Sequence, residues 1–237
     1  MKNFAFYLLI ISLAFIFSCD SDIKCIRASS NIVSETWDLK DFKGIIFNNW
    51  GDVYLTQGPE YSFKIEGPDN VLDFTTTEIE SGILIIGSET CFNGDYDLKI
   101  EITAPEIYGI NLVGGGKIIS IGNLITDKMY IEAYGLGEID VDIVADTLIT
   151  SISGQVGLKY EGNVIRHELT STGLFSLDGY ALDTDHTYIN ISGEGDCYVT
   201  AFETLDVVIS GNGNIYYQGE PDVQSDISGI GNVIDSN

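Results

Sequence analysis

From Phe42 onward the chain is written in short runs where apolar and polar residues alternate, the signature of half-buried strands. Val53 and Leu55 alternate with polar neighbours in 51–58, and Phe63 and Ile65 do the same in 61–66. Gly58-Pro59 and Gly67-Pro68-Asp69-Asn70 mark the breaks between runs. Residues 75–80 and 83–86 read as a hairpin closed by Ser81-Gly82, and 97–103 supplies one more alternating strand. No window shows a convincing helical period. The pattern predicts an all-β protein with almost no helix.

The second half carries the same alternation in a repeat. A glycine turn recurs seven times, at Gly114-Gly115-Gly116, Gly135-Leu136-Gly137, Gly154-Gln155-Val156-Gly157, Gly173-Leu174-Phe175, Gly193-Glu194-Gly195, Gly211-Asn212-Gly213 and Gly229-Ile230-Gly231. The first glycines are 21, 19, 19, 20, 18 and 18 residues apart. Two residues before each first glycine stand Leu112, Ala133, Ile152, Ser171, Ile191, Ile209 and Ile227; four after stand Ile118, Ile139, Leu158, Leu177, Cys197, Ile215 and Val233. Both positions are expected to point inward on either side of a corner. The residue just before the glycine carries a hydroxyl in five copies (Ser153, Thr172, Ser192, Ser210, Ser228), and Asp196, Asn214 and Asn232 form a second polar row. Glycine is expected at the corners for positive φ and for close approach of stacked backbones. Gly122, Gly162, Gly219 and Gly179 mark a second corner in four of the turns. Units of this length that contain only strands and corners predict a right-handed parallel β-helix, a pectin-lyase-like β-solenoid in which each coil pairs with the coils above and below.

Charge narrows the partners. The 237 residues hold 11 Lys+Arg against 36 Asp+Glu, a net charge of −25, and no Lys or Arg follows Arg166. Such a surface repels phosphate backbones, so nucleic acid is not expected as a partner. At the other end, Lys2 precedes the apolar run 4–17, too short to span a membrane, and Ile16-Phe17-Ser18-Cys19 resembles a bacterial lipobox. The expected division is a signal peptide at 1–18, a lipidated tether at 19–41 attached through Cys19, an N-terminal β segment of the β-helix at 42–108 and the seven-repeat β-helix at 109–237. This places the chain in the cell envelope as an outer-membrane lipoprotein, periplasmic or surface-exposed, held to the membrane only through its lipid. Of the remaining cysteines, Cys197 occupies an inward repeat position, while Cys25 and Cys91 could pair in an oxidising compartment.

The Ser-Gly-x-Gly turn every 18 to 20 residues, preceded by Gly-Asp-Val-Tyr-Leu-Thr-Gln-Gly at 51–58 and followed by Ile215-Tyr216-Tyr217-Gln218-Gly219-Glu220-Pro221, resembles the putative auto-transporter adhesin head domain family of Bacteroidetes-type lipoproteins. The resemblance spans about residues 42 to 235. It implies a β-helix whose Gly-x-Gly turns join its sheets, no recognised catalytic residues, a role in adhesion and a trimer-like assembly. The copies at Gly154 and Gly173 depart from the pattern.

Candidate chemistry is sparse. The repeat region holds only Lys117, Lys128, Lys159 and Arg166 as bases, with no cationic cluster to handle an acidic polysaccharide, so no catalytic residue and no cofactor are expected. His167 and His186 are nineteen residues apart and are expected at the surface or in turns. Asp183 and Glu203 share one offset from their glycines and are the weak candidates for a hard cation; Glu138, Asp140 and Asp142 alternate along one strand. Tyr198 and Tyr216 share an outward offset and are candidate ligand-facing aromatics, for sugar rings or a protein partner. The last coil offers open strand edges, a candidate contact for a homo-oligomer or partner. The leading reading is a non-catalytic adhesion or binding module for a glycan or protein at the cell surface. The alternatives are a carbohydrate-active enzyme on the same fold and a structural envelope protein.

Overall fold

The computed structural model describes residues 25–237; the expected signal peptide, the lipobox-like run and Cys19 lie outside the described residues. Among these, long elements bend through a whole turn of a solenoid: Gly115–Ala133, Leu136–Ile152, Gln155–Ser171, Leu174–Ile191 and Glu194–Ile209. Each pairs in parallel with the next, almost residue for residue. Side chains therefore stack on their counterparts from coil to coil, and a position that is apolar in every copy becomes a continuous inner stripe. The residues two before and four after the first glycine are buried in all copies but the last, where Ile227 is 38% exposed. Cys197, at one of these positions, is fully buried as a small core residue, and burial raises its thiol pKa.

The N-terminal coils are stacked out of chain order. Gly44–Phe47 and Trp50–Gln57 form a coil that lies between the coil of Ile83–Ser88 with Lys99–Ala104 and the coil that begins at Gly109–Leu112. Below it the pairing turns antiparallel. Thr75–Glu80 covers the edge of Ile83–Ser88, Ser62–Pro68 covers Lys99–Ala104, and Ile32–Trp37 covers Ser62–Pro68. These strands occupy edge groups that would otherwise template aggregation. The Ser81-Gly82 turn has positive φ at both residues, 51° and 79°, as a tight hairpin requires.

One expectation needs correction here. The stretch 25–41 is not tether: Ile32–Trp37 is a strand, and Trp37 stacks on Phe63 with ring centroids 5.3 Å apart. Cys25 and Cys91 are joined with Cα atoms 4.6 Å apart, pinning Ile26–Arg27 beside Phe92–Asn93. The polar composition around Ser29 and Asn31 hid this order, because both side chains donate to the Asp69 carboxylate while the Ser29 backbone N–H donates to Asn70 Oδ1. Asp69 then opens a single short helix, Asp69–Asp73, whose Val71 and Leu72 plug the lower end of the core.

Glycine serves the corners mainly through close approach. A Cβ on Gly135 would stand 2.0 Å from the Gly114 carbonyl oxygen in the coil below, so no side chain fits. Positive φ is required at fewer corners, Gly116 with φ 113° among them. The hydroxyl row is partial: Ser192 Oγ donates to the Ser171 carbonyl at 3.2 Å and Thr172 Oγ1 to that of Ile152 at 3.4 Å. The amide row is continuous, with Asn214 Nδ2 donating to Asp196 at 3.1 Å and Asn232 Nδ2 to Asn214 at 3.2 Å.

Candidate functional site

A groove of about 1300 Å³ runs over the glycine corners of the first coils rather than over a sheet face. Its origin is steric. Gly114, Gly135 and Gly154 stack where a Cβ would strike the carbonyl of the coil below, so this row is a trough without side chains. The residues on either side form its banks. Val113 and Tyr134 precede the glycines, Leu136 and Gln155 follow them, and Trp50 follows Asn49, which stands at the glycine's place in the coil below. Tyr134 is 50% exposed, Trp50 55% and Leu136 54%, an unusual density of large apolar side chains for so acidic a surface.

Trp50 owes its place to a glycine. Register pairs it with Gly115, and a Cβ on Gly115 would lie 2.2 Å from two carbons of the benzo ring. The indole therefore rests on bare backbone. The Trp50 backbone N–H donates to Asn49 Oδ1 at 2.8 Å, and the buried Asn49 amide donates to the Gly87 carbonyl at 3.2 Å. The far wall is the loop held by the Cys25–Cys91 bridge. Phe92 packs edge-on against Phe74 and against Tyr96, with centroids 6.2 and 5.8 Å apart, and partial burial raises the Tyr96 pKa. Asp95 and Asp97 flank Tyr96 in the open, and no Lys or Arg lines the groove among the described residues.

The sites expected from sequence fare differently. Tyr198 and Tyr216 do stand opposite each other, but their rings lie parallel at 4.9 Å, while Tyr180 meets Tyr198 edge-on at 5.4 Å. Ring faces that cover one another leave edges and hydroxyls for a ligand. Asp183 and Glu203 are not paired. The longer coil between Gly173 and Gly193 shifts the register, setting Asp183 opposite Thr200, so their equal offset does not make them neighbours. Among the described residues no cluster of metal-ligating side chains occurs. Glu138 and Asp140 each face a lysine of a neighbouring coil: Lys117 lies 2.5 Å from Glu138, and Lys159 3.4 Å from Asp140.

His167 departs from its expected surface position. It points into the core at 1% exposure, where its Nε2 lies 3.2 Å from Thr150 Oγ1 and its ring meets fully buried Tyr160 edge-on. Burial lowers its pKa to about 4, so the imidazole is neutral. Burial pushes the Tyr160 hydroxyl the other way, upward. His186 is exposed, bonded to Thr204 at 3.1 Å, and pairs in register with Arg166 rather than with His167. The signal missed was the row six places before each glycine, where Met129, Leu148 and Leu205 are all buried and apolar. For Trp50 it was the middle glycine of Gly114-Gly115-Gly116, an extra vacancy beside a bulky neighbour.

A parallel β-solenoid with an open, aromatic-banked groove over its glycine corners defines the class. The chain belongs to the family described as putative auto-transporter adhesin, head GIN domain, whose model matches residues 41–221. It is similar to the crystal structure of a putative adhesin from Bacteroides fragilis NCTC 9343, at 25% identity and TM-score 0.85, covering 89% of this chain and 100% of that one. Putative adhesins from Parabacteroides distasonis ATCC 8503 (16% identity, TM-score 0.68, 89% of this chain and 99% of that one) and Parabacteroides merdae ATCC 43184 (17%, 0.64, 90% and 99%) share the fold. No curated protein matches the chain. No described helix is long and apolar enough to cross a membrane.

Proposed function

We propose that the protein is a non-catalytic adhesion module of the cell envelope, carried on a lipid at Cys19 and binding a surface ligand along its rigid solenoid. One observation carries this reading: the corner groove is an open trough with a backbone floor and aromatic banks. That shape suits holding an extended ligand, whereas catalysis calls for a closed site with converging acid and base groups. The neutral, fully buried His167 is out of reach of any substrate in the groove. Family membership supports the same reading. The terminal bridge suits an oxidising envelope compartment.

The experiment is an array of glycans and host-matrix proteins probed with the chain, run beside a polysaccharide panel assayed for cleavage. Saturable binding without turnover is expected. Turnover of any polysaccharide would overturn the non-catalytic part, and an array blank at all concentrations would overturn the binding part. Metabolic labelling with a fatty-acid analogue tests the anchor: the wild-type chain takes up label, and Cys19→Ala does not.

A further inference from the structure

We infer that the corner groove is built for a neutral oligosaccharide, stacked against Trp50 and Tyr134 and hydrogen-bonded from the loop that carries Tyr96. The inference rests on the binding-module reading and adds the ligand's chemical class and its seat.

The floor rules out one common mode of peptide capture. Its backbone amides are already spent between coils: Gly115 N donates to Asn49 O at 2.9 Å, Leu136 N to Gly114 O at 3.0 Å and Gln155 N to Gly135 O at 3.0 Å. An extended peptide therefore finds no ladder to join along the trough. Recognition falls to the side chains on the banks. Trp50 has one side on Gly115 and is more than half exposed, so an indole surface remains open to the groove. Aromatic surfaces of this kind accept the apolar C–H faces of sugar rings, and Tyr134 and Tyr96 add hydroxyls at the rim. The self-stacked Tyr198 and Tyr216 lack such an uncovered pair of faces.

The polar groups fit hydroxyls better than charges. The side chains of Asn48, Asp95, Asp97 and Gln155 line or rim the groove. Amides both donate and accept, and carboxylates accept from hydroxyls, a set that matches polyols. With no base in the lining, two aspartates present and a chain charge of −25, uronates, sulfated sugars and phosphates are repelled. The groove is also preorganised. Asn49 fixes the Trp50 backbone, and the Cys25–Cys91 bridge fixes the opposite wall, so little ordering cost is left to binding.

The test titrates the chain with neutral glucose, mannose and N-acetylhexosamine oligomers, with uronate and sulfated oligomers, and with a basic peptide, reading tryptophan emission and calorimetric heat. A neutral oligomer is expected to bind and to shift the emission. Two variants then weaken it, each by about tenfold or more: Trp50→Ala, and Tyr134→Ser, which installs the residue found at that position in four other coils and so keeps the fold. Neutral-sugar binding unchanged in both variants, or binding confined to the anionic oligomers or the peptide, overturns the inference. Array binding that survives both variants but fails in Tyr198→Ser would sink this seat and leave the adhesion reading standing; an empty array would sink both.

Discussion

Trp50 lies on Gly115: the two residues are paired in register across adjacent coils, and two carbons of the benzo ring occupy the space a Cβ on the glycine would need. A Gly115→Ala change therefore displaces the indole rather than tightening the coil. The expected cost is about 1–3 kcal/mol, read as a lower melting temperature, together with red-shifted tryptophan emission. Unchanged emission would mean that the indole does not rest there.

Glycines of the same ladder should differ sharply in tolerance. Gly135→Ala drives a methyl against the Gly114 carbonyl, 2.0 Å from the ideal Cβ, and neither backbone can yield without parting two coils. A loss of about 3 kcal/mol or more is expected. Gly157→Ala meets nothing closer than Glu138 Cγ at 3.5 Å and should stay within about 0.5 kcal/mol of wild type. Chemical denaturation of the pair checks this, and equal losses would contradict the steric account.

The buried imidazole makes stability depend on pH in a defined window. His167 has a folded pKa of about 4 against an ordinary 6.5, so the unfolded chain takes up the proton first as pH falls. The contribution is complete above about pH 6.5 and is lost progressively down to about pH 4, amounting to about 3 kcal/mol. His167→Leu, matching Leu148 and Leu205 in the same inner row, should flatten the stability profile across that interval. A profile with the same slope in the variant would place the acid sensitivity elsewhere.

The Cys25–Cys91 bridge closes a separation of 66 residues. Reduction, or Cys25→Ser with Cys91→Ser, should lower stability by about 2–4 kcal/mol. It should also free the Phe92–Tyr96 wall, seen as faster amide exchange in residues 88–97 and not in the repeats. Uniform loosening would argue that the bridge acts on the whole solenoid.

Much of this molecule is legible in its sequence, because a solenoid converts one local pattern into long-range contact. The apolar pair at Ala133 and Ile139 identifies the inner stripe without any tertiary knowledge, and the tyrosines at 198 and 216 fall side by side as their equal offset requires. Equal offset fails where coil lengths differ, as Asp183 and Glu203 show. The coil holding Trp50 is harder to see, since Asn49 replaces its first glycine and the strand beneath it, Lys99–Ala104, arrives later in the chain. Stacking out of order leaves no periodic trace. The groove inherits that opacity, because one bank comes from this coil, another from the repeats and the far wall from a disulfide loop.

The most direct test of the account compares two variants on one glycan and matrix array: Trp50→Ala with Tyr134→Ser in the corner groove, and Tyr198→Ser with Tyr216→Ser on the sheet face. Binding lost in the groove variant and kept in the sheet-face variant is the predicted result. Binding kept in the groove variant and lost in the other would contradict the claim that this protein holds its ligand over its glycine corners.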